Sequence, residues 1–409
     1  MSEQKETPAV RLPQGFAANG FSGHIKSSGP DMALILSDRP AASAGVFTTN
    51  RVRAACIDWN REINGTPGRA LLVNSGNANA CTGARGMQDN RRLAAEVSTG
   101  FDVEPQEVFL ASTGVIGVPM PIENMLAALQ SLPKSSDAPT ESPEGLDKAA
   151  RAIMTTDLKK KIAEYSFEVD GIPVRIAGIA KGSGMIHPNM ATMLGFVMTD
   201  VQIEPSLLQH MLKNAVDESF NMVSVDGDTS TNDMVLALAN GASGVSISTP
   251  DSTAWQEFTN GLASVCRQLA IEIARDGEGA TKLISATVNG AVSTQDARVL
   301  ARGVIASSLV KAAMFGEDAN WGRVLAAMGY SGGAFEPDKV DILFRSTAGE
   351  VAMMNSGGPL PFDEAKAAGV LAADEVEVVI RLYEGSGRAT AWGCDLSYDY
   401  VKINGSYRT

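Results

Sequence analysis

The stretch Lys181-Gly-Ser-Gly-Met-Ile-His-Pro-Asn-Met-Ala-Thr-Met-Leu194 places a hydroxyl nucleophile, Thr192, behind a small residue, Ala191, at the mouth of an apolar run at 193–198. A lysine, two glycines and a Pro-Asn turn lie ahead of it. A threonine hydroxyl is a weak nucleophile unless a base sits beside it, and cutting the chain supplies one by freeing threonine's own α-amine. That amine has an unperturbed pKa of about 7.7–8.0, close to working pH, which suits a general base. An Ala-Thr bond in a glycine-loosened turn ahead of a strand is a place where such a cut can occur. Spacing alone leaves a second reading open, in which Thr192 is a strand-start residue that caps a turn.

Outward from this stretch, residues 165–169 and 172–179 read as strands joined by Asp170-Gly171, a pair that favours a two-residue hairpin turn because both positions accept positive φ. The second strand runs straight into Lys181. Residues 192–198 read as a mostly apolar strand covered on both faces, so the candidate nucleophile stands where a loop enters a buried strand. The segment 131–143, SLPKSSDAPTESP, reads as an exposed loop. A helix follows it, with Ser142 as cap, Pro143 at the first helical position, and Leu146, Ala149, Ala150, Ile153 and Met154 on its apolar face. Leu207, Leu208, Met211, Leu212, Ala215 and Val216 mark an amphipathic helix from near Pro205. A longer helix at 253–275 turns Trp255, Phe258, Leu262, Val265, Cys266 and Leu269 inward. It is expected to stop at Asp276-Gly277, with the glycine in the left-handed position. Strands are expected at 282–288, 340–344, 376–383 and 388–394. Hairpins mixed with helices point to an α+β or layered α/β architecture rather than a parallel βαβ array.

The composition narrows the class. With 409 residues, 44% hydrophobic and 20% charged, the chain reads as a soluble globular protein with a substantial core. No run approaches the roughly 18 apolar residues that span a bilayer. The polar start MSEQKETPAV lacks the layout of a secretory signal, which leads to the expectation of a cytoplasmic protein with no membrane partner. Cys56, Cys81, Cys266 and Cys394 are scattered without metal-site spacing and read as reduced and mostly buried. Three histidines leave few candidates for a metal site or a serine–histidine triad. A net charge of −13 argues against a nucleic-acid partner, because phosphate binding needs a basic surface.

Beyond these patterns, KGSGMIHPNMATML resembles the self-cleaving ornithine acetyltransferase (glutamate N-acetyltransferase) family of arginine biosynthesis. The resemblance continues in SGNANACTG at 75–83, STGVIG at 112–117, MTTD at 154–157, SVDGDTSTND at 224–233, DGEGATK at 276–282, DANWGR at 318–323 and the terminal INGSYRT. It implies central β-sheets sandwiched by helices, similar in plan to N-terminal nucleophile hydrolases. It also implies self-cleavage between Ala191 and Thr192, giving an α chain, 1–191, and a β chain, 192–409, packed as one folded unit. Thr192 would be the nucleophile and a substrate contact, with Thr113 and Gly114 as the oxyanion hole. Thr155, Lys181, Glu278, Asn404 and Thr409 would contact substrate, Thr156 being easily confused with Thr155. The implied reaction carries an acetyl group from N-acetylornithine to Thr192 and then to glutamate, without metal or organic cofactor. Some members of the family accept acetyl-CoA as co-substrate. The implied assembly is a heterotetramer of two α and two β chains.

Without the resemblance these residues read plainly: Ser112-Thr113-Gly114 as a turn, Lys181 as a surface lysine, Glu278 as a solvated carboxylate, the C-terminus as frayed. Other signals carry less. Gly182-Ser183-Gly184 lacks the full phosphate-loop spacing. Asp226, Asp228 and Asp233 miss the calcium-loop pattern and read as Asx-turn residues. His187 would sit on the piece cut away from Thr192. Three rivals stand beside acetyl transfer: a related self-cleaving amidase or aminopeptidase that gives the acyl group to water, a binding protein that never cuts itself, and a nucleotide binder using the Lys181 loop.

Overall fold

The computed structural model describes residues 9–187, 193–250 and 252–406. A first sheet is built from β1 (Phe16–Phe21), β2 (Met32–Phe47), β3 (Gly68–Asn77), β4 (Val108–Val115), β5 (Lys161–Val169), β6 (Ile172–Lys181) and β7 (Leu194–Thr199). After two short strands, β8 (Gln202–Ile203) and β9 (Val223–Ser224), β10 (Met234–Ala239) completes it. Its order is β4-β3-β2-β10-β7-β6-β5, with β1 hydrogen-bonded to β2. Downstream of β11 (Ser246–Ile247), which pairs with β8, come β12 (Leu283–Ala291), β13 (Asp341–Ser346), β14 (Gly349–Asn355), β15 (Gly358–Pro359), β16 (Glu375–Arg381) and β17 (Gly387–Cys394). These form a second sheet with β9, in the order β15-β14-β13-β16-β12-β17-β9.

Alternation of side chains explains the layers. β7 is buried along its whole length. Its Leu194, Phe196 and Met198 enter one core, which also holds residues of α1 (Ala55–Ile63), α2 (Gly83–Phe101), α3 (Ile122–Ser131) and α4 (Pro143–Ala152). Val197 points the other way, into a second core with α5 (Pro205–Asp217) and α6 (Thr253–Arg275). Successive strand residues face opposite sides, so a strand covered on both faces must be apolar throughout. α6 packs on β5 and β6 and also reaches β17 and β9, which joins the two sheets. α7 (Thr294–Ala306) covers β12 and β17, α8 (Ser308–Phe315) and α9 (Trp321–Tyr330) pack beside it, and α10 (Glu364–Leu371) covers β13 and β14. The last element among the described residues is α11 (Tyr398–Ser406). The expectation of sheets flanked by helices is borne out.

Local chemistry accounts for the elements around the site. Asp170 and Gly171 both take positive φ, 52° and 79°, and close the β5–β6 hairpin. Ser142 caps α4 by accepting from the Gly145 N–H, with Pro143 in the first turn. Ser252 caps α6 in the same way through the Trp255 N–H. The expected left-handed Gly277 is a correction: Gly277 has no positive φ, and that conformation falls to Gly279 at 70°. Gly277 is instead packed so tightly that a Cβ there would lie 2.6 Å from the Cys394 sulfur. The segment 131–143 is mostly exposed, yet Leu132 is buried and Thr140 bridges to Ala18. Cys56, Cys266 and Cys394 are buried and Cys81 is exposed, all four with free thiols. No helix among the described residues is long and apolar enough to cross a membrane.

Candidate active site

Six residues singled out from the sequence, Thr113, Gly114, Thr155, Lys181, Glu278 and Asn404, line one cavity of about 320 Å³. Ala191, Thr192 and Thr409 lie outside the described residues. Thr156 also lines it, so the cavity does not separate Thr156 from Thr155.

The corner at Thr113-Gly114 is the C-terminal end of β4, where it runs parallel to a bulged end of β3. Gly114 has φ 134°, and a Cβ there would lie 2.3 Å from the Gly76 carbonyl carbon. Only glycine fits so close an approach. A chain of buried amides fixes this corner from behind. Asn232 Nδ2 donates to the carbonyls of Ser112 at 2.7 Å and Ala78 at 2.6 Å. The Ser112 hydroxyl donates to Asn74 Oδ1 at 2.7 Å, and Asn74 Nδ2 donates to the Asn77 carbonyl at 2.8 Å. Sequence reasoning gave these asparagines no role; their signal was the Asn-Asp ending of SVDGDTSTND for Asn232 and, for Asn74, its place immediately before the Asn-repeating SGNANACTG.

Lys181 ends β6 and is 3% exposed, far from the surface lysine that its type suggests. Its Nζ lies 3.5 Å from Thr113 Oγ1. Burial lowers its pKa, and the Asp157 carboxylate opposes that shift. Glu278 is also buried, its N–H donating to the Ser183 carbonyl at 3.0 Å. Asn404 Nδ2 from α11 donates to Glu278 Oε2 at 2.7 Å. Gly184 leaves room for this carboxylate, since a Cβ there would lie 2.3 Å from Oε2.

Asp226 and Asp228, set aside as turn residues, also line the cavity. The Asx-turn reading holds for Asp226, whose Oδ1 accepts from the Asp228 N–H at 3.3 Å. Its oxygens also accept from the Met185 and Ile186 N–H groups at 2.6 and 2.8 Å, and Oδ2 from the Tyr400 hydroxyl at 3.3 Å. This carboxylate therefore ties the 185–186 backbone to α11. Burial followed by Asp226 pushes the Tyr400 phenol up. Asp233 is fully buried and accepts from the N–H of Met193, the residue after Thr192, at 2.9 Å. Burial raises its carboxyl well above the usual range despite that bond and the nearby Lys181. His187 Nδ1 lies 3.2 Å from Ser224 Oγ, and His187 is not among the residues lining the cavity.

The arrangement offers a buried cation beside a hydroxyl and a strand-end turn, with a buried carboxylate and its amide partner across the same cavity. It suits a small ligand that carries both a carboxylate and an amine. The ArgJ family model matches residues 17–409. The chain belongs to the ArgJ family. One relative, the arginine biosynthesis bifunctional protein ArgJ of Symbiobacterium thermophilum, is 52% identical over 404 residues, covering 98% of each chain. The crystal structure of arginine biosynthesis bifunctional protein argJ from Bacillus halodurans is 43% identical and spans 52% of this chain and 98% of its own, with a TM-score of 0.49. The ornithine acetyltransferase of Mycobacterium tuberculosis, solved in complex with ornithine, is 32% identical and spans 44% of this chain and 96% of its own, with a TM-score of 0.39.

Proposed function

We propose that this ArgJ family member is an acetyltransferase of arginine biosynthesis that moves an acetyl group from N-acetylornithine to glutamate through an acetylated Thr192. The observation that carries the reading is the convergence of Thr113, Gly114, Lys181 and Glu278 on one cavity, with Met193 anchored to Asp233. In this reading the Thr192 hydroxyl first attacks the Ala191 carbonyl. The peptide shifts to an ester, and water hydrolyses that ester to leave the Ala191 carboxylate and a free Thr192 amine. The chains 1–191 and 192–409 then act as one unit.

The freed amine takes the hydroxyl proton as Thr192 attacks the acetyl carbonyl of N-acetylornithine. Thr113 and the Gly114 N–H steady the oxyanion, a contribution often worth about 3–4 kcal/mol per donor. The proton passes to the departing amine and ornithine leaves. Glutamate then takes the acetyl group by the reverse sequence. Lys181 and Thr155 hold the substrate carboxylate, while Glu278, Asn404 and Thr409 receive the rest of the substrate. No metal or organic cofactor enters this scheme. The relatives' designation as bifunctional fits a second acetyl donor, for which acetyl-CoA is the one to try. Two cut protomers pair as two α and two β chains in the cytoplasm.

The test is the denatured mass of the protein beside its Thr192→Ala variant, with acetyl transfer measured on both. Two fragments, 1–191 and 192–409, with transfer to glutamate in ping-pong fashion, are expected for the wild type, and one inactive uncut chain for the variant. An uncut, inactive wild type sinks the reading. Acetyl release to water with no gain from glutamate would replace it with the amidase.

A further inference from the structure

Behind the cavity lies a buried ion cluster that the proposed chemistry does not use. The Lys161 side chain is 1% exposed, and its Nζ donates to Asp157 Oδ1 and Asp276 Oδ2, each at 2.7 Å. A third bond runs from Nζ to the Lys159 carbonyl at 3.2 Å. Both carboxylates are otherwise occupied by backbone. Asp157 accepts from Thr155 N–H at 3.0 Å and Gly182 N–H at 2.7 Å. Asp276 Oδ2 accepts from the N–H groups of Leu158 and Lys159 at 3.0 and 3.2 Å. The Asp276 carbonyl accepts the Ser183 hydroxyl at 2.6 Å, and the Ser183 carbonyl accepts the Glu278 N–H at 3.0 Å.

Apart from the bond to the Lys159 carbonyl, these bonds end within two residues of a proposed substrate contact: Thr155 itself, Lys181 through Gly182, and Glu278 through Asp276 and Ser183. Buried charges are costly, and this set carries two carboxylates against one ammonium. Lys181 is the further cation. Burial pushes Asp157 up, but Lys181, then Lys161 and the hydrogen bonds, outweigh that and hold its carboxyl at about 2. The ammonium of Lys181 thus has a permanent anionic neighbour, which offsets part of the cost of keeping it charged in a dry pocket.

We infer that Asp157, Lys161 and Asp276 are positioning residues. They lock the segment 155–161 to 276–278 across the proposed cut and fix the separation of Lys181 and Glu278, with Asp157, bonded to the Gly182 N–H, as the counter-anion of Lys181. The inference rests on the proposed role of Lys181 as the carboxylate clamp.

The experiment compares the wild type with Asp157→Asn and Lys161→Met, using N-acetylornithine and its α-carboxamide as donors. A charged clamp makes the wild type prefer the acid by at least about tenfold in kcat/KM. In Asp157→Asn that preference collapses towards unity and KM for N-acetylornithine rises about tenfold, with self-cleavage complete and kcat little changed. Lys161→Met raises KM similarly. If Asp157→Asn fails to fold, Asp276→Asn gives the independent reading: KM rises while the preference for the acid is kept, because Lys181 retains Asp157. A purely structural cluster would lower thermal stability and leave the KM and preference of the surviving enzyme unchanged, and that result overturns the inference. A wild type that does not prefer the acid overturns the clamp reading and this inference with it.

Discussion

Gly114 sits where two parallel strands come too close for any side chain, and the consequence can be measured. With φ at 134° and a Cβ that would meet Gly76 at 2.3 Å, alanine there combines backbone strain with overpacking. Gly114→Ala should cost about 2–5 kcal/mol, seen as a lower thermal midpoint together with loss of activity. An unchanged midpoint would show that the β3–β4 ends can part freely. Asp233 offers a test by pH. Its unfolded carboxyl loses its proton near the ordinary 3.8, whereas the buried one keeps it to higher pH. In that window the folded state binds more protons than the unfolded state, so this group's contribution to stability falls as pH rises. Asp233→Asn keeps an oxygen for the Met193 N–H and removes the titration. In an uncut Thr192→Ala background, the variant should gain thermal stability over its parent progressively as pH rises above the ordinary carboxyl value of 3.8. A gap that does not change with pH would contradict the assigned shift.

Among the elements, α11 should be the least stable and α6 among the most. α11 buries no residue and is held chiefly by Asn404 on Glu278, Tyr400 on Asp226 and the edge-on packing of Tyr398 against Phe315. α6 is capped by Ser252 and turns Phe258, Leu262, Val265 and Leu269 into the core. Hydrogen exchange should release the amides of 398–406 by local opening while those of 258–273 wait for global unfolding. Equal protection of the two would refute this. The same contrast shows what was legible in the sequence. The α6 boundaries, the Asp170-Gly171 turn and the Ser142-Pro143 start were readable because each rests on a few adjacent residues. Gly277 misled because the chain leaves α6 through tertiary bonds, with the Asp276 carboxylate taking N–H groups from Leu158 and Lys159. The burial of Lys181 and Glu278 and the bracing by Asn232 were invisible for the same reason. Their partners lie far along the chain, as Ala78 does from Asn232, and only the family resemblance pointed to that corner.

At the scale of the whole molecule, the order of the first sheet decides what a cut at 191–192 can do. β10 and β7 come from after that point, and they lie between β2 and β6, which come from before it. β10 pairs antiparallel with β2 from Met234↔Phe47 to Ala239↔Ala42, and β7 pairs antiparallel with β6 from Leu194↔Lys181 to Thr199↔Ile176. Removing the later piece would leave β2 and β6 without their shared neighbours. Removing the earlier piece would leave β7 and β10 as a two-stranded remnant of the first sheet, with the apolar face that packs towards α1–α4 bared, which is at best marginally stable in water. Both hydrophobic cores also draw side chains from both pieces, as Leu72 and Phe196 do in one, and Ile176 and Val235 in the other. The two pieces should therefore share one cooperative unit. After complete cleavage they should co-migrate in size-exclusion chromatography at nanomolar concentration and unfold in a single calorimetric transition. They should part only in denaturant, and neither should refold alone once separated. Two transitions, or a folded 192–409 piece recovered by itself, would mean that the interleaved sheet does not bind the halves together.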